Sequence, residues 1–128
     1  MELASSYTLL IIDDEDQVRL LAQMVLEDVG YRVLISESGQ HGLRLLQRQE
    51  VDLILVDIFM PGMDGLEVIK RVRTTRPACR IIAMSGGSEE WDHLDVAKYL
   101  GADATLRKPL SVHELLDAVS AQLTSSHP

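Results

Sequence analysis

Only one cysteine, Cys79, occurs in the chain, so no internal disulfide ties the fold together, and a reducing cytoplasm suits the protein. It opens a predicted strand and reads as a small buried hydrophobe. No basic stripe interrupts a sequence whose formal net charge is -8, and a surface of that sign repels polyanions, so nucleic acid is not an expected partner. The N-terminal MELASSYTLL lacks the basic and apolar segments of a secretory signal. No apolar run is long enough to span a bilayer, and no membrane association is expected. The histidines, His41, His93, His113 and His127, are scattered without metal-ligand spacing and read as surface residues. Internal repeats and linkers are missing as well. What is present is 46% hydrophobic and 25% charged residues over 128 positions, a composition expected to form one globular domain across residues 1–128. A chain of this length buries about two-thirds of its unfolded surface, enough for a single core.

Short apolar runs rich in β-branched residues alternate with segments of helical period, the pattern of βα units around a parallel sheet. Strands are predicted at 8–12, 32–35, 52–56, 80–84 and 104–106, and helices at roughly 15–29, 39–49, 65–75, 90–100 and 112–123. The punctuation agrees. Asp14 with Gln17, Asp64 with Glu67 and Ser111 with Glu114 have capping-box spacing, while Gly30 and Gly101 stand where helices should end. The middle strands are apolar without alternation, as strands covered by helices on both faces require. The expected fold is therefore α/β: a doubly wound, five-stranded parallel sheet of order 2-1-3-4-5 with five helices, flavodoxin-like.

Ligands in such sheets bind outside the carboxyl ends of the strands, where strand order reverses. Two predicted strands end in acid on that edge: TLLII runs into Asp13 and Asp14, and LILV into Asp57. Three carboxylates sharing a small site raise each other's pKa unless a cation neutralises them, and Mg²⁺ suits oxygen donors that leave coordination open for phosphate. Asp14 alone would be better explained as a helix cap; two strands ending in acid on one edge are not. Glu15 and Asp16 read as solvated first-turn acids favoured by the helix dipole. Ser85 follows one further strand and Lys108 another, setting a hydroxyl and an ammonium opposite the acids. Nucleophilic carboxylate, cation site, hydroxyl and ammonium are the parts that phosphoryl transfer needs.

In their order and spacing, LLIIDDED, LILVDIFMPGMDG, IIAMSGG and LGADATLRKPL resemble the response-regulator receiver domains of two-component signalling, CheY-like in fold, over essentially the whole chain. The resemblance implies that Asp57 accepts a phosphoryl group from a phosphohistidine on a histidine kinase or histidine phosphotransfer protein, as a signalling switch rather than a turnover enzyme. It further implies that Asp14, Asp57 and the backbone carbonyl of Phe59 hold Mg²⁺, with Asp13 reaching the ion largely through water. Ser85 and Lys108 would each engage a phosphoryl oxygen, and the Lys108–Pro109 bond would be cis. The turn PGMDG is given no catalytic role.

Three positions depart from the family pattern. Thr105 stands where receivers usually carry an aromatic residue that swings inward on activation, and Leu110 replaces the phenylalanine of Lys-Pro-Phe, so an unusual or reduced conformational switch is expected. Phe59, two residues after Asp57, carries no group to position an attacking water, nor does Gly87, two after Ser85; slow self-dephosphorylation is expected. On the first helix Val18, Leu21, Ala22, Val25 and Val29 form the predicted core stripe. Leu20 and Met24 widen its apolar face, and with Gln17, Val18 and Leu21 they make a candidate docking surface for the donor. Trp91 and Tyr99 flank the fourth helix, in a region that receivers use for an output protein or a homodimer; the output protein itself is not named by the sequence. The chain ends soon after the fifth helix, at QLTSSHP, and no effector domain is expected. Rival readings are a metal-dependent phosphatase with an aspartyl-phosphate intermediate, which wants a second acid where Phe59 stands, and a receiver-like module that binds partners without being phosphorylated. A flavodoxin-like cofactor binder is weaker, because DDED would repel phosphate.

Overall fold

A computed structural model describes residues 6–86 and 91–124, without the side chains of Trp91 and Asp92. Five parallel strands, β1 (Thr8–Ile12), β2 (Arg32–Ser36), β3 (Leu53–Asp57), β4 (Arg80–Gly86) and β5 (Ala104–Lys108), form one sheet in the order β2-β1-β3-β4-β5. Each is followed by a helix: α1 (Asp16–Asp28), α2 (Gly39–Arg48), α3 (Gly65–Thr75), α4 (Trp91–Leu100) and α5 (Val112–Thr124). The predicted doubly wound α/β fold is the observed one.

Side-chain alternation along the strands builds two cores. Leu10, Ile12, Ile54, Val56, Ile81 and Ala83 face Leu46, Val68, Ile69, Val72, Leu94 and Ala97 of α2, α3 and α4. Leu9, Ile11, Leu53, Leu55, Ile82 and Met84 face Ala22 and Leu26 of α1 and Leu115 and Val119 of α5. Continuous apolar strands are the consequence of covering both faces. Cys79 belongs to the first core, and burial pushes its thiol up to about 11, so it is an inert hydrophobe. Among the described residues no helix is long and apolar enough to cross a membrane.

Three expectations need correction. The ladders run past the apolar runs: Asp57 pairs with Met84 and Gly86 with Lys108, so Asp57, Ser85 and Lys108 lie within strands rather than beyond them. Backbone amides hold a parallel ladder whatever the polarity of the side chains. Asp14 does not cap α1; Glu15 occupies the cap position, and its side chain makes no capping hydrogen bond. The core stripe of α1 holds in part: Ala22 is buried and Val18 and Val25 pack half-buried against the second core, but Leu21 and Val29 are exposed and Leu26 is buried in their stead. The other caps form as read, with Asp64 accepting from the Glu67 amide at 3.0 Å and Ser111 from the Glu114 amide at 3.3 Å. Ser38 supplies a further one for α2. Gly30 and Gly101 close their helices at φ 107 and 128.

Candidate functional site

The carboxyl edge of the sheet opens at the β1/β3 switch point into a cavity of about 280 Å³ lined by Asp14, Glu15, Asp57, Phe59, Gly86 and Lys108. Asp13 lies behind it, fully buried, its own amide donating to the Ser36 carbonyl at 3.1 Å and one carboxylate oxygen accepting the Glu15 amide at 2.8 Å. Arg19 holds the Asp13 carbonyl at 2.7 Å and pairs with Asp16, which anchors the first turn of α1 to the end of β1. Asp57 is the last residue of β3 and 5% exposed.

Its setting is tight. A β-carbon added at Gly65 would stand 2.1 Å from the Asp57 carbonyl oxygen, so only glycine lets α3 begin against the end of β3, where its amide donates to the Ile58 carbonyl at 2.8 Å. The PGMDG turn therefore fixes the backbone that presents Asp57, a positioning role that the sequence reading did not give it.

Asp13, Asp14 and Asp57 each offer a carboxylate oxygen within 4.8 Å of the others, as predicted. Lys108 reaches across from β5: its Nζ is 2.8 Å from Asp13 Oδ2, 2.7 Å from Glu15 Oε1 and 3.5 Å from Asp57 Oδ2. The Lys108–Pro109 bond is cis. Glu15 is thus more than a solvated acid: it takes one donor of the ammonium. Nothing in the sequence distinguished it from Asp16. Ser85 is buried in β4, one residue beyond the ladder partner of Asp57, and does not line the cavity.

The electrostatics are unbalanced. Burial first, and then the charge of Asp13, push Asp57 up to about 7, with Lys108 offsetting only part. Burial also raises Asp13 against the pull of Lys108 and the Glu15 amide. Desolvation would lower the ammonium of Lys108, but the neighbouring carboxylates of Asp13 and Glu15 outweigh that and raise it. Asp13 Oδ2, although close to Lys108, has no aligned hydrogen-bond donor among the described residues. A buried anionic oxygen in that position, facing two more carboxylates, is a fit for a hard cation.

Around this centre, Phe59 is 44% exposed and packs edge-to-face against His93, whose Nδ1 is buried without a partner among the described residues. His93 and His41 are thus half-buried, and His41 meets Ser36 at 2.9 Å; the surface reading holds for His113, and His127 lies outside the described residues. Thr105 lines a second cavity, about 590 Å³, with Leu94, Asp95, Lys98, Leu106, Arg107, Glu114 and Asp117. Leu110 packs against the second core. Leu20, Met24 and Tyr99 are 57%, 68% and 89% exposed. Trp91's side chain and Gly87 lie outside what is described.

The response regulator receiver domain family matches residues 9–120. Sporulation initiation phosphotransferase F of Bacillus subtilis (strain 168) is 34% identical over 115 residues, 90% of this chain and 92% of that protein. The alkaline phosphatase synthesis transcriptional regulatory protein PhoP of the same organism is 34% identical over 118 residues; the chain spans 49% of its length. Among solved structures, the response regulator receiver domain protein (CheY-like) from Methanospirillum hungatei JF-1 superposes with a TM-score of 0.86 at 28% identity, covering 91% of this chain and 93% of that one.

Proposed function

The chain belongs to the response regulator receiver domain family, and on that premise we propose that Asp57 is its phosphoryl acceptor and that Asp13, Asp14, Asp57 and the Phe59 carbonyl hold Mg²⁺. The observation that carries this reading is the convergence of three carboxylates from two strand ends within 4.8 Å, with a lysine ammonium 3.5 Å from Asp57. A carboxylate is a weak nucleophile, but one held rigidly at a strand end needs only alignment and charge relief. An Asp57 oxygen forms a bond to phosphorus as the bond from phosphorus to the donor imidazole nitrogen breaks, giving an acyl phosphate and free histidine. Mg²⁺, when bound, would neutralise the acids and the incoming phosphoryl charge. Lys108, already oriented by Asp13 and Glu15, pairs with a phosphoryl oxygen; Ser85, buried in β4 behind the cavity, would have to turn its hydroxyl inward to meet another.

The donor is a histidine kinase or a histidine phosphotransfer protein in the cytoplasm, and the protein acts stoichiometrically, one phosphoryl per chain. Exposed Leu20, Leu21 and Met24 on α1, the helix whose cap residue Glu15 lines the acid cavity, suit the docking of a helical donor. Intact-mass measurement after incubation with acetyl phosphate tests the reading. One phosphoryl adduct with Mg²⁺, and none with a chelator, is expected. Steady phosphate release from unrelated esters, with no retained adduct, would instead identify the aspartyl-phosphate phosphatase.

The same adduct gives a second prediction. Phe59 offers no group to orient water, so Phe59→Asn is expected to shorten the lifetime of the phosphorylated state severalfold, measured as decay of the adduct after donor removal. Equal lifetimes would remove water access as the limiting factor.

A further inference from the structure

We propose that His93 is a positioning residue that holds the Phe59 ring as a shield at the mouth of the acid cavity and so sets the lifetime of the acyl phosphate; this rests on Asp57 being the acceptor. Decay of that species requires a water oxygen to bond to phosphorus while the bond from phosphorus to the Asp57 oxygen breaks. The electron pair returns to the carboxylate, the water's proton passes to solvent, and inorganic phosphate leaves. Water reaches phosphorus past the residues that line the cavity, and among these Phe59 alone carries a large apolar group.

An aromatic ring that is 44% exposed has little core around it to fix its orientation. What it has is His93: the ring centroids are 4.8 Å apart and the planes 73° from parallel, an edge-to-face contact. His93 is itself well seated, since Leu94 and Ala97 of the same helix are buried in the first core. Its Nδ1 is buried, and none of the described residues bonds that atom and draws the imidazole elsewhere. The orientation is set by packing, and the ring it packs on is Phe59. The contact joins the loop leaving β3 to the first turn of α4, and the lifetime of the signal is then decided by a residue 36 positions from the acceptor in the chain but adjacent to its cover.

The test uses the full chain, phosphorylated with acetyl phosphate and Mg²⁺, freed of donor and followed by intact mass, alongside melting temperatures. His93→Ala is expected to take up the same initial adduct and lose it roughly two- to tenfold faster, the range that loss of one aromatic pair allows. His93→Phe, which keeps an edge-to-face partner, is expected to restore the native lifetime. A purely structural role would lower the melting temperature of His93→Ala and leave the decay unchanged, and that result overturns the proposal. So does a His93→Phe variant that decays as fast as the alanine one. Should His93→Ala fail to fold, His93→Leu carries the same comparison. A native protein that takes up no adduct defeats the acceptor reading; equal decay rates in an adduct-forming set defeat only the role of His93.

Discussion

Asp57→Asn is expected to abolish the phosphoryl adduct and, in chelator at pH 8, to make the unliganded domain more stable by about 2 kcal/mol, a rise in Tm of about 5–10 °C. The two effects share a cause. The carboxylate that makes the site reactive is buried beside Asp13, and its pKa is pushed up to about 7 in the folded chain. In the unfolded chain the same group titrates near 3.9. Between those values the native state binds the proton that the unfolded state has released, so stability falls as pH rises from about 4 to 7 and is flat above. A shift of that size is worth at most about 4 kcal/mol, and water entering an open cavity reduces it, hence the expectation of about half. Asparagine carries no charge at any pH and lacks the slope. Urea unfolding of both proteins from pH 5 to pH 8 in chelator decides the matter: a native protein without the slope, or a variant no more stable at pH 8, would show that burial and the charge of Asp13 do not destabilise the Asp57 carboxylate. Mg²⁺ should stabilise the native protein more than the variant, because it removes the same repulsion.

This strain was partly legible in the sequence. Asp13 and Asp57 each end an apolar strand, and a charge at the rim of a buried run is a local signal that topology alone turns into a site. Lys108 was readable in the same way, from the end of a fifth strand. The resemblance supplied the roles, and Thr105 and Phe59 were visible as departures from it. What could not be read were contacts between elements distant in sequence. Glu15 looks like any first-turn acid until β5 brings an ammonium to 2.7 Å. Gly65 reads as part of a turn, and its necessity appears only when α3 starts against the carbonyl of Asp57. On α1 the stripe of Val18, Ala22 and Val25 was legible, but Leu21 and Leu26 are equally apolar, and only the packing of α1 on the sheet and α5 chooses Leu26 and leaves Leu21 to solvent with Leu20 and Met24. His93 gave no signal beyond its residue type.

Lys108→Met is expected to have the opposite effect on stability and to slow phosphorylation rather than abolish it. Lys108 is the cation nearest to Asp13, which is fully buried, and deleting one member of a buried pair typically costs about 3–5 kcal/mol because the remaining charge is left unpaired. The pKa of the ammonium is raised on folding, so its contribution is complete below its unfolded value near 10.4 and is lost only as pH climbs through the folded one. At neutral pH the variant therefore forfeits all of it. With the lysine gone, Asp13 and Asp57 hold protons more tightly still, so the deficit should be widest near pH 8 and narrow toward pH 5, where the cluster can discharge by protonation. Mg²⁺ should narrow it at pH 8 as well, by supplying positive charge to the same oxygens. Adduct formation should slow by about a hundredfold or more even with Mg²⁺ saturating, since among the described residues Lys108 is the ammonium placed to meet charge developing on the phosphoryl group. Unfolding in chelator and in Mg²⁺ at both pH values, with adduct formation timed alongside, separates these contributions. A variant as stable as the native protein in chelator at pH 8 would mean that solvent, not Lys108, carries the charge of Asp13. Recovery of stability by Mg²⁺ without recovery of rate would place the lysine's main role on the phosphoryl group rather than on the resting acids.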